Sequence, residues 1–173
     1  MRTLYLLRHA KSDWSDDDAD DHDRPLNKRG ERAASLIGVY AEQNSYPIRG
    51  IFSSSARRAE DTAKRVREQL DNRPTLVTLP DLYHASPSVL LKRLQGLGDA
   101  PDHLMMVGHN PGLHDFIVSL LAESMRDTEP AKRVAEKYPT GALAVLNLPA
   151  ESWSGVEMAS GELVHYATPK DLV

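Results

Sequence analysis

Short apolar runs of this sequence are followed by guanidinium and imidazole side chains. In chain order these are Arg8-His9, Arg57-Arg58, His84 and His109-Asn110. Ligands of an α/β sheet bind at the carboxyl ends of its strands, so we expect these residues to meet at one rim. Arg presents a planar fork of donors that matches phosphate oxygens, and free N–H groups at helix starts add positive charge. The pattern predicts a phosphate site formed by Arg8, Arg58 and His109.

The imidazole of His9 is the best-placed nucleophile for such a phosphate. The sequence contains no Cys, which excludes thiolate chemistry, and it has neither a Walker A pattern nor a G-x-S-x-G elbow. A neutral imidazole can form a covalent phosphoramidate. Nearby carboxylates would favour the charged ring and nearby Arg the neutral one, while a backbone carbonyl could fix its tautomer. Which influence dominates stays open at this point.

The elements that must position these residues alternate between apolar runs and helical periods, which is typical of an α/β domain. Predicted strands cover residues 3–7, 50–53, 76–79, 103–107 and 142–148, and predicted helices begin at 27, 56, 87 and 111. Asn27 is a suitable N-cap, and Pro111 suits a first helical position. The turn Thr140-Gly141 precedes a strand, so its place at the rim is less secure.

Two weaker runs, residues 155–158 and 162–166, predict a closing hairpin. We therefore expect a single domain over residues 1–173. Its predicted architecture is a three-layer α/β/α sandwich with a mostly parallel central sheet and an antiparallel edge.

The charge is unevenly distributed. The 173 residues carry a net charge of −4, but seven Asp lie between Ser12 and Asp23, and without them the chain would carry +3. This acidic segment is predicted to be a solvated loop, or alternatively a rim that favours a basic protein surface. No apolar run is long enough for a membrane span, and the weak overall charge gives no sign of nucleic-acid binding. We expect a cytoplasmic monomer.

The motifs, taken together, resemble those of the histidine phosphatase superfamily, and most closely its small SixA-type phosphohistidine phosphatases. The resemblance runs from Leu4 to about Leu148. It rests on Leu7-Arg8-His9-Ala10, on Arg24-Pro25-Leu26-Asn27 with Gly30, on Ser53-Ser54 followed by Arg58-Ala59 and Thr62, and on Val107-Gly108-His109-Asn110-Pro111. In the superfamily the residue after this His is more often Gly. Ala10 differs from it in the same way as the phosphohistidine branch does.

The resemblance implies that His9 is the phosphorylated nucleophile and that Arg8, Arg58 and His109 form the phosphate pocket. It selects Arg58 rather than Arg57, because Arg58 precedes Ala59. Ser15, His84 and Asn110 are predicted to bind substrate. No metal or other cofactor is expected.

The segment that holds a Glu or Asp general acid in many superfamily members here carries His84. Alkoxide leaving groups need a proton donor, whereas imidazole leaves more readily, so this difference favours phosphohistidine substrates. His84 or Asp81 could still donate a proton.

The leading hypothesis is a metal-independent phosphatase that acts through phospho-His9, with a phosphorylated protein or a small phosphorylated molecule as substrate. The alternatives are a broad-specificity phosphomonoesterase, a metal-dependent hydrolase and a phosphoprotein-binding module without catalysis.

Overall fold

A six-stranded mixed sheet forms the centre of the computed structural model, which describes residues 1–173. The strands are β1 (Arg2–Arg8), β2 (Gly50–Ser54), β3 (Thr75–Leu79), β4 (His103–Gly108), β5 (Leu143–Leu148) and β6 (Glu162–Ala167). Their order is β3-β2-β4-β1-β5-β6, and the first four are parallel. Strand β5 runs antiparallel to both β1 and β6. The carboxyl ends of β1, β2 and β4 therefore lie side by side, next to the start of β5.

Five α-helices cover the two faces of this sheet. They are α1 (Lys28–Gln43), α2 (Arg57–Gln69), α3 (Pro87–Gln95), α4 (Gly112–Leu120) and α5 (Glu129–Glu136). Alternate residues of β1 point to opposite faces, as a pleated strand requires. Tyr5 and Leu7 pack with the buried residues of α1 and α2, while Leu4 and Leu6 pack with those of α3, α4 and α5. The predicted three-layer α/β/α sandwich is confirmed.

Three details differ from the sequence-based expectation. Helix α5 was not predicted, because only Ala131 and Val134 of its charged sequence are buried. Pro111 lies at the N-cap of α4 rather than at its first helical position. The predicted strand over residues 162–166 is confirmed as part of β6, but the predicted hairpin is wrong, since β6 pairs with β5 while residues 155–158 form no strand. The carbonyl of Val156 instead accepts a hydrogen bond from the Gln95 side chain at 2.8 Å.

The acidic segment is a closed loop with a short 3₁₀ turn, Asp21–Asp23. At its base, Asp13 N–H donates to the Pro25 carbonyl at 2.8 Å. The Arg24 guanidinium is stacked over the Trp14 ring at 4.1 Å and donates to the Asp16 carbonyl. The loop is thus anchored where it leaves and rejoins the fold, although most of its Asp side chains are exposed. None of the helices in the chain is both long and apolar enough to span a membrane.

Candidate active site

His9 lies at the carboxyl end of β1 with only 7% of its surface exposed. Its Nδ1 is 2.7 Å from the Ala10 carbonyl oxygen. A carbonyl can only accept, so the proton must be on Nδ1 and the lone pair of the neutral ring on Nε2. Burial, opposed by the Ala10 hydrogen bond and reinforced by the charges of Arg58 and Arg8, lowers the pKa of His9 to about 4. His9 is therefore neutral at neutral pH, with Nε2 available as a nucleophile.

Arg58 is the central cation of the site. It lies in the first turn of α2 and is 4% exposed. Its Nε is 3.4 Å from His9 Nε2, and its Nη2 is 3.5 Å from His109 Nδ1. The neighbouring Arg57 points outward and pairs with Asp61 on the surface of the helix at 3.7 Å. Only one of the two adjacent guanidinium groups is thus brought to His9.

Arg8 supplies a second guanidinium group from the end of β1. Its Nη1 donates to the Tyr138 carbonyl at 3.1 Å, its Nε is buried without a partner, and no carboxylate pairs with it. Burial, followed by the charge of Arg58, lowers the pKa of Arg8. Two cations that repel each other, the buried Arg58 and the partly buried Arg8, which has no counter-ion, form a pocket suited to an anion.

His109 follows β4 and faces His9, with the two ring centres 5.1 Å apart. Its Nε2 is hydrogen-bonded to Ser54 Oγ at 2.7 Å, which leaves Nδ1 facing Arg58. Burial, reinforced by the adjacent His9 ring and by the charge of Arg58, lowers the pKa of His109 far below its ordinary value. With Ser54 Oγ donating to Nε2, a neutral His109 carries its proton on Nδ1 and can donate one hydrogen bond to an anion held between the two Arg.

One residue of the acidic loop, Asp21, reaches into this site. Its Oδ2 accepts hydrogen bonds from Arg58 Nη2 at 3.0 Å, from the Tyr83 hydroxyl and from His84 Nε2 at 3.1 Å. Burial raises the pKa of Asp21, but the hydrogen bonds from Tyr83, Arg58 and His84 outweigh it and lower this pKa well below its ordinary range. The Asp21 carboxylate therefore occupies donors that an incoming phosphoryl group would also use.

Asp21 was not singled out from the sequence, where it is one of seven similar Asp. The only feature of the sequence near Asp21 that pointed to contact with the fold was the neighbouring His22, whose ring is held by other parts of the protein. His22 Nε2 is hydrogen-bonded to Ser55 Oγ at 2.8 Å, and the His22 ring packs edge-on against Tyr83. Because these contacts hold the 3₁₀ turn against the rim, the expectation of a purely solvated loop is wrong at this point.

The other residues predicted from the sequence occupy different positions around His9. His84 is at the mouth, with its ring 5.0 Å from that of His109. Asn110 donates from Nδ2 to the Tyr138 carbonyl that also binds Arg8, at 2.8 Å, and its Oδ1 is buried without a partner. Ser15 is exposed in the acidic loop, where its N–H donates to Asp13 Oδ1, and it contacts none of the site residues. Asp81 is paired with Arg93 at 2.7 Å.

Small residues and one hydroxyl hold these side chains in place. Thr62 is fully buried, donates to the Arg58 carbonyl at 2.7 Å and accepts from Ala10 N–H at 3.0 Å. It thus joins α2 to the backbone that follows His9. A Cβ on Gly30 would lie 2.1 Å from the Lys11 carbonyl oxygen, so the first turn of α1 can approach this backbone only as glycine.

The turn before β5 also belongs to this rim, because β5 runs antiparallel to β1. Gly141, at φ +77°, donates its N–H to the carbonyls of both Arg8 and His9 at 3.0 Å. These two hydrogen bonds place the Thr140-Gly141 turn at the rim, a position that the sequence alone left less secure. The rim as a whole presents a neutral nucleophile to two guanidinium groups and a neutral imidazole, an arrangement that can accept a phosphoryl group.

Comparisons with known proteins identify the family to which the chain belongs. The sequence profile of the histidine phosphatase superfamily, branch 1, matches residues 4–85. An uncharacterized protein of Mycobacterium tuberculosis, Rv1276c, is 34% identical over 164 residues, which are 95% of this chain and 100% of that protein.

Two solved structures, both assigned as SixA phosphohistidine phosphatases, share the fold over nearly the whole chain. SixA of Nakamurella multipartitia superposes with a TM-score of 0.84 at 23% identity, over 97% of this chain and 96% of that one. SixA of Agrobacterium tumefaciens superposes with a TM-score of 0.78 at 27% identity, over 97% and 98% of the respective chains. The chain therefore belongs to the histidine phosphatase superfamily, in which it is of the SixA type.

Proposed function

We propose that this protein is a metal-independent phosphatase that transfers a phosphoryl group to His9 and then hydrolyses phospho-His9, and that it acts on protein phosphohistidine. Membership of the superfamily supports a phosphatase acting on a phosphorylated substrate. The observation that carries the mechanism is the orientation of His9. Its Nδ1 proton is bound by the Ala10 carbonyl, while its Nε2 lone pair faces the Arg58 guanidinium.

In the first step, His9 Nε2 attacks phosphorus in line with the leaving group. A bond forms between Nε2 and phosphorus, and the bond from phosphorus to the substrate nitrogen or oxygen breaks, its electron pair going to the leaving group. Arg8, Arg58 and His109 donate hydrogen bonds to the equatorial oxygens, on which negative charge accumulates. The guanidinium groups thereby supply the positive charge that other phosphatases take from metal ions.

In the second step, water attacks the phosphorus of phospho-His9. The Nε2–phosphorus bond breaks, its electron pair returns to the ring, and inorganic phosphate leaves. The Ala10 carbonyl keeps the proton on Nδ1 throughout, so the ring returns to the same tautomer for the next cycle.

The carboxylates around the pocket support a substrate with a good leaving group. Asp21 is held ionised by its three donors and has no proton to donate, and the Asp81 carboxylate is engaged by Arg93 at 2.7 Å. An alkoxide needs a proton on the departing oxygen, whereas an imidazole leaves as a neutral ring after its other nitrogen is protonated from solvent. This chemistry favours phosphohistidine over phosphate esters.

A second candidate function is hydrolysis of small phosphate esters. It is favoured by the position of His84, whose half-exposed ring lies next to His109 at the mouth of the pocket. From there a protonated His84 could supply the proton that an ester leaving group requires.

A side-by-side assay separates these substrates. A phosphohistidine protein, a phosphoserine peptide and a small aryl phosphate are offered to the same enzyme, with and without EDTA. We expect the highest kcat/KM on phosphohistidine and no loss of activity in EDTA. Preference for the aryl phosphate would contradict the substrate assignment but not the mechanism, whereas loss of activity in EDTA, restored by a metal ion, would contradict the mechanism.

A further inference from the structure

A large polar cleft lies beside the catalytic pocket, and Lys11, which directly precedes the acidic loop, contributes to its lining. We call it the basic cleft. It has a volume of about 540 Å³ and opens between the start of α1, the end of α5 and the segment that follows β6. Its volume is within the range of ligand-binding pockets in general. Five of its lining residues are cationic, namely Lys11, Arg29, Arg133, Lys137 and Lys170.

Most of this positive charge is not neutralised within the protein. Arg133 is paired with Asp171 at 3.0 Å and packs over the Tyr166 ring, so its charge is already compensated. The other four cations make no ion pair, and the one other carboxylate in the lining is Glu136. Unpaired cations around a concavity attract anionic groups from solution.

The floor of the basic cleft is bonded directly to the catalytic backbone. Pro139 and Thr140 line it, and they lie between Tyr138, whose carbonyl binds Arg8, and Gly141, whose N–H donates to the Arg8 and His9 carbonyls. Lys11 enters from the other end, two residues after His9. A chain that presents its phosphorylated residue to His9 would therefore place neighbouring residues in this cleft.

The types of side chain indicate which anion fits. The phosphate pocket uses one buried and one partly buried guanidinium group, whereas three of the four unpaired cations of the basic cleft are lysines, and all four are exposed. Lys carries a compact charge on a flexible stem and does not select a planar, bidentate partner. Such a set suits several carboxylates spread along a chain better than one tightly held phosphate.

We propose that the basic cleft binds an acidic, Asp- or Glu-rich segment of the phosphorylated protein on which His9 acts. This inference rests on the proposed function in one respect, the assignment of that segment to the substrate. The seven Asp of the acidic loop repel an acidic partner from that side of the site. The basic cleft would therefore orient the partner with its acidic segment on the α5 side of His9.

The test measures binding without catalysis. A fluorescein-labelled hexaglutamate peptide is titrated with the wild-type protein and with Lys137→Glu/Lys170→Glu, and anisotropy is recorded at low and high salt. The matched control is Lys64→Glu/Lys92→Glu, which makes the same change of net charge at exposed lysines outside the cleft. We expect the cleft variant to weaken binding about tenfold, the control to change it less than about twofold, and salt to weaken the wild-type complex. If charge reversal disturbs folding, Lys137→Gln/Lys170→Gln is used instead, and we expect it to weaken hexaglutamate binding by a smaller factor.

Equal losses in the cleft and control variants would overturn the proposal, because they would mean that only net charge matters. A second outcome would also overturn the proposal. If tripolyphosphate binds and needs these lysines while hexaglutamate does not bind, the cleft is a site for small phosphates.

A parallel assay uses phosphohistidine peptides with acidic or neutral flanks. We expect the acidic flank to lower KM for the wild type but not for the cleft variant, without a change in kcat. Failure to hydrolyse either peptide, with hexaglutamate binding intact, would contradict the proposed function and leave the cleft as an acidic-segment site.

Discussion

Two cationic regions lie on either side of the turn that connects Tyr138 to Gly141, and they differ in burial. In the catalytic pocket, Arg58 is 4% exposed and lies within hydrogen-bonding distance of both His9 and His109. In the basic cleft, the lysines are exposed and make no ion pair. Positive charge therefore acts on neighbouring groups inside the pocket and on approaching molecules at the cleft.

Burial determines what each region can do. In the pocket, desolvation and the neighbouring guanidinium groups keep His9 neutral, so burial and positive charge together act on the protonation of this ring. In the cleft, water and salt screen the lysines beyond about 8 Å at physiological ionic strength, so they act on an approaching partner rather than on bonds being broken. Removing a buried cation should therefore impair catalysis, and removing an exposed one should impair encounter.

The largest difference is expected between the two adjacent arginines of α2. Arg58→Ala should lower kcat/KM by about 10²–10³-fold, because it removes a buried donor from the phosphoryl oxygens. Arg57→Ala should change it less than about twofold, since Arg57 contributes only an exposed pair with Asp61. Steady-state kinetics on one substrate measures both variants. Comparable losses for the two would mean that burial is not what distinguishes them.

The pH dependence of His9 protonation tests whether the pocket controls the charge of this ring. His9 must be unprotonated to attack, and its pKa is lowered to about 4, so protonation should disable it only near pH 4 and not near its ordinary value of 6.5. NMR titration of the His9 ring nitrogens gives this pKa directly and avoids the titration of the substrate phosphate. A midpoint near 6.5 would show that burial and the two Arg do not control the ring.

A smaller effect, of opposite sign, is expected at Asp21. Its carboxylate pairs with Arg58 in the free enzyme, so Asp21→Asn should tighten the binding of tungstate, a phosphate analogue, by about fivefold. Asp17→Asn, at an exposed position of the same acidic loop, is the matched control and should have no effect. Inhibition constants measure both. Weaker tungstate binding by Asp21→Asn would indicate that Asp21 positions Arg58 rather than competing for it.

Much of the fold and the centre of the site follow from local patterns in the sequence. The apolar runs give five strands, and Asn27 caps α1 by accepting from Gly30 N–H at 2.8 Å, as its position predicts. Arg8, His9, Arg58 and His109 are brought together because parallel strands end at one edge.

The contributions that sequence could not supply come from distant parts of the chain. Asp21 is identical in type to its neighbours, and only its contacts with Arg58, 37 residues away, and with Tyr83 and His84, more than 60 residues away, distinguish it. The basic cleft joins Lys11 and Arg29 to the last third of the chain, across an antiparallel β5 whose direction the sequence does not state. The protonation of His9 depends on burial, which exists only in the folded protein.

The central claim is that His9 carries the phosphoryl group during turnover. Rapid acid-free quenching of the enzyme with ³²P-labelled phosphohistidine substrate, followed by peptide mapping, should locate the label on His9 in a linkage stable to base and labile to acid. His9→Ala should show no label and no turnover. Full phosphatase activity in His9→Ala, or label confined to another residue, would contradict the account.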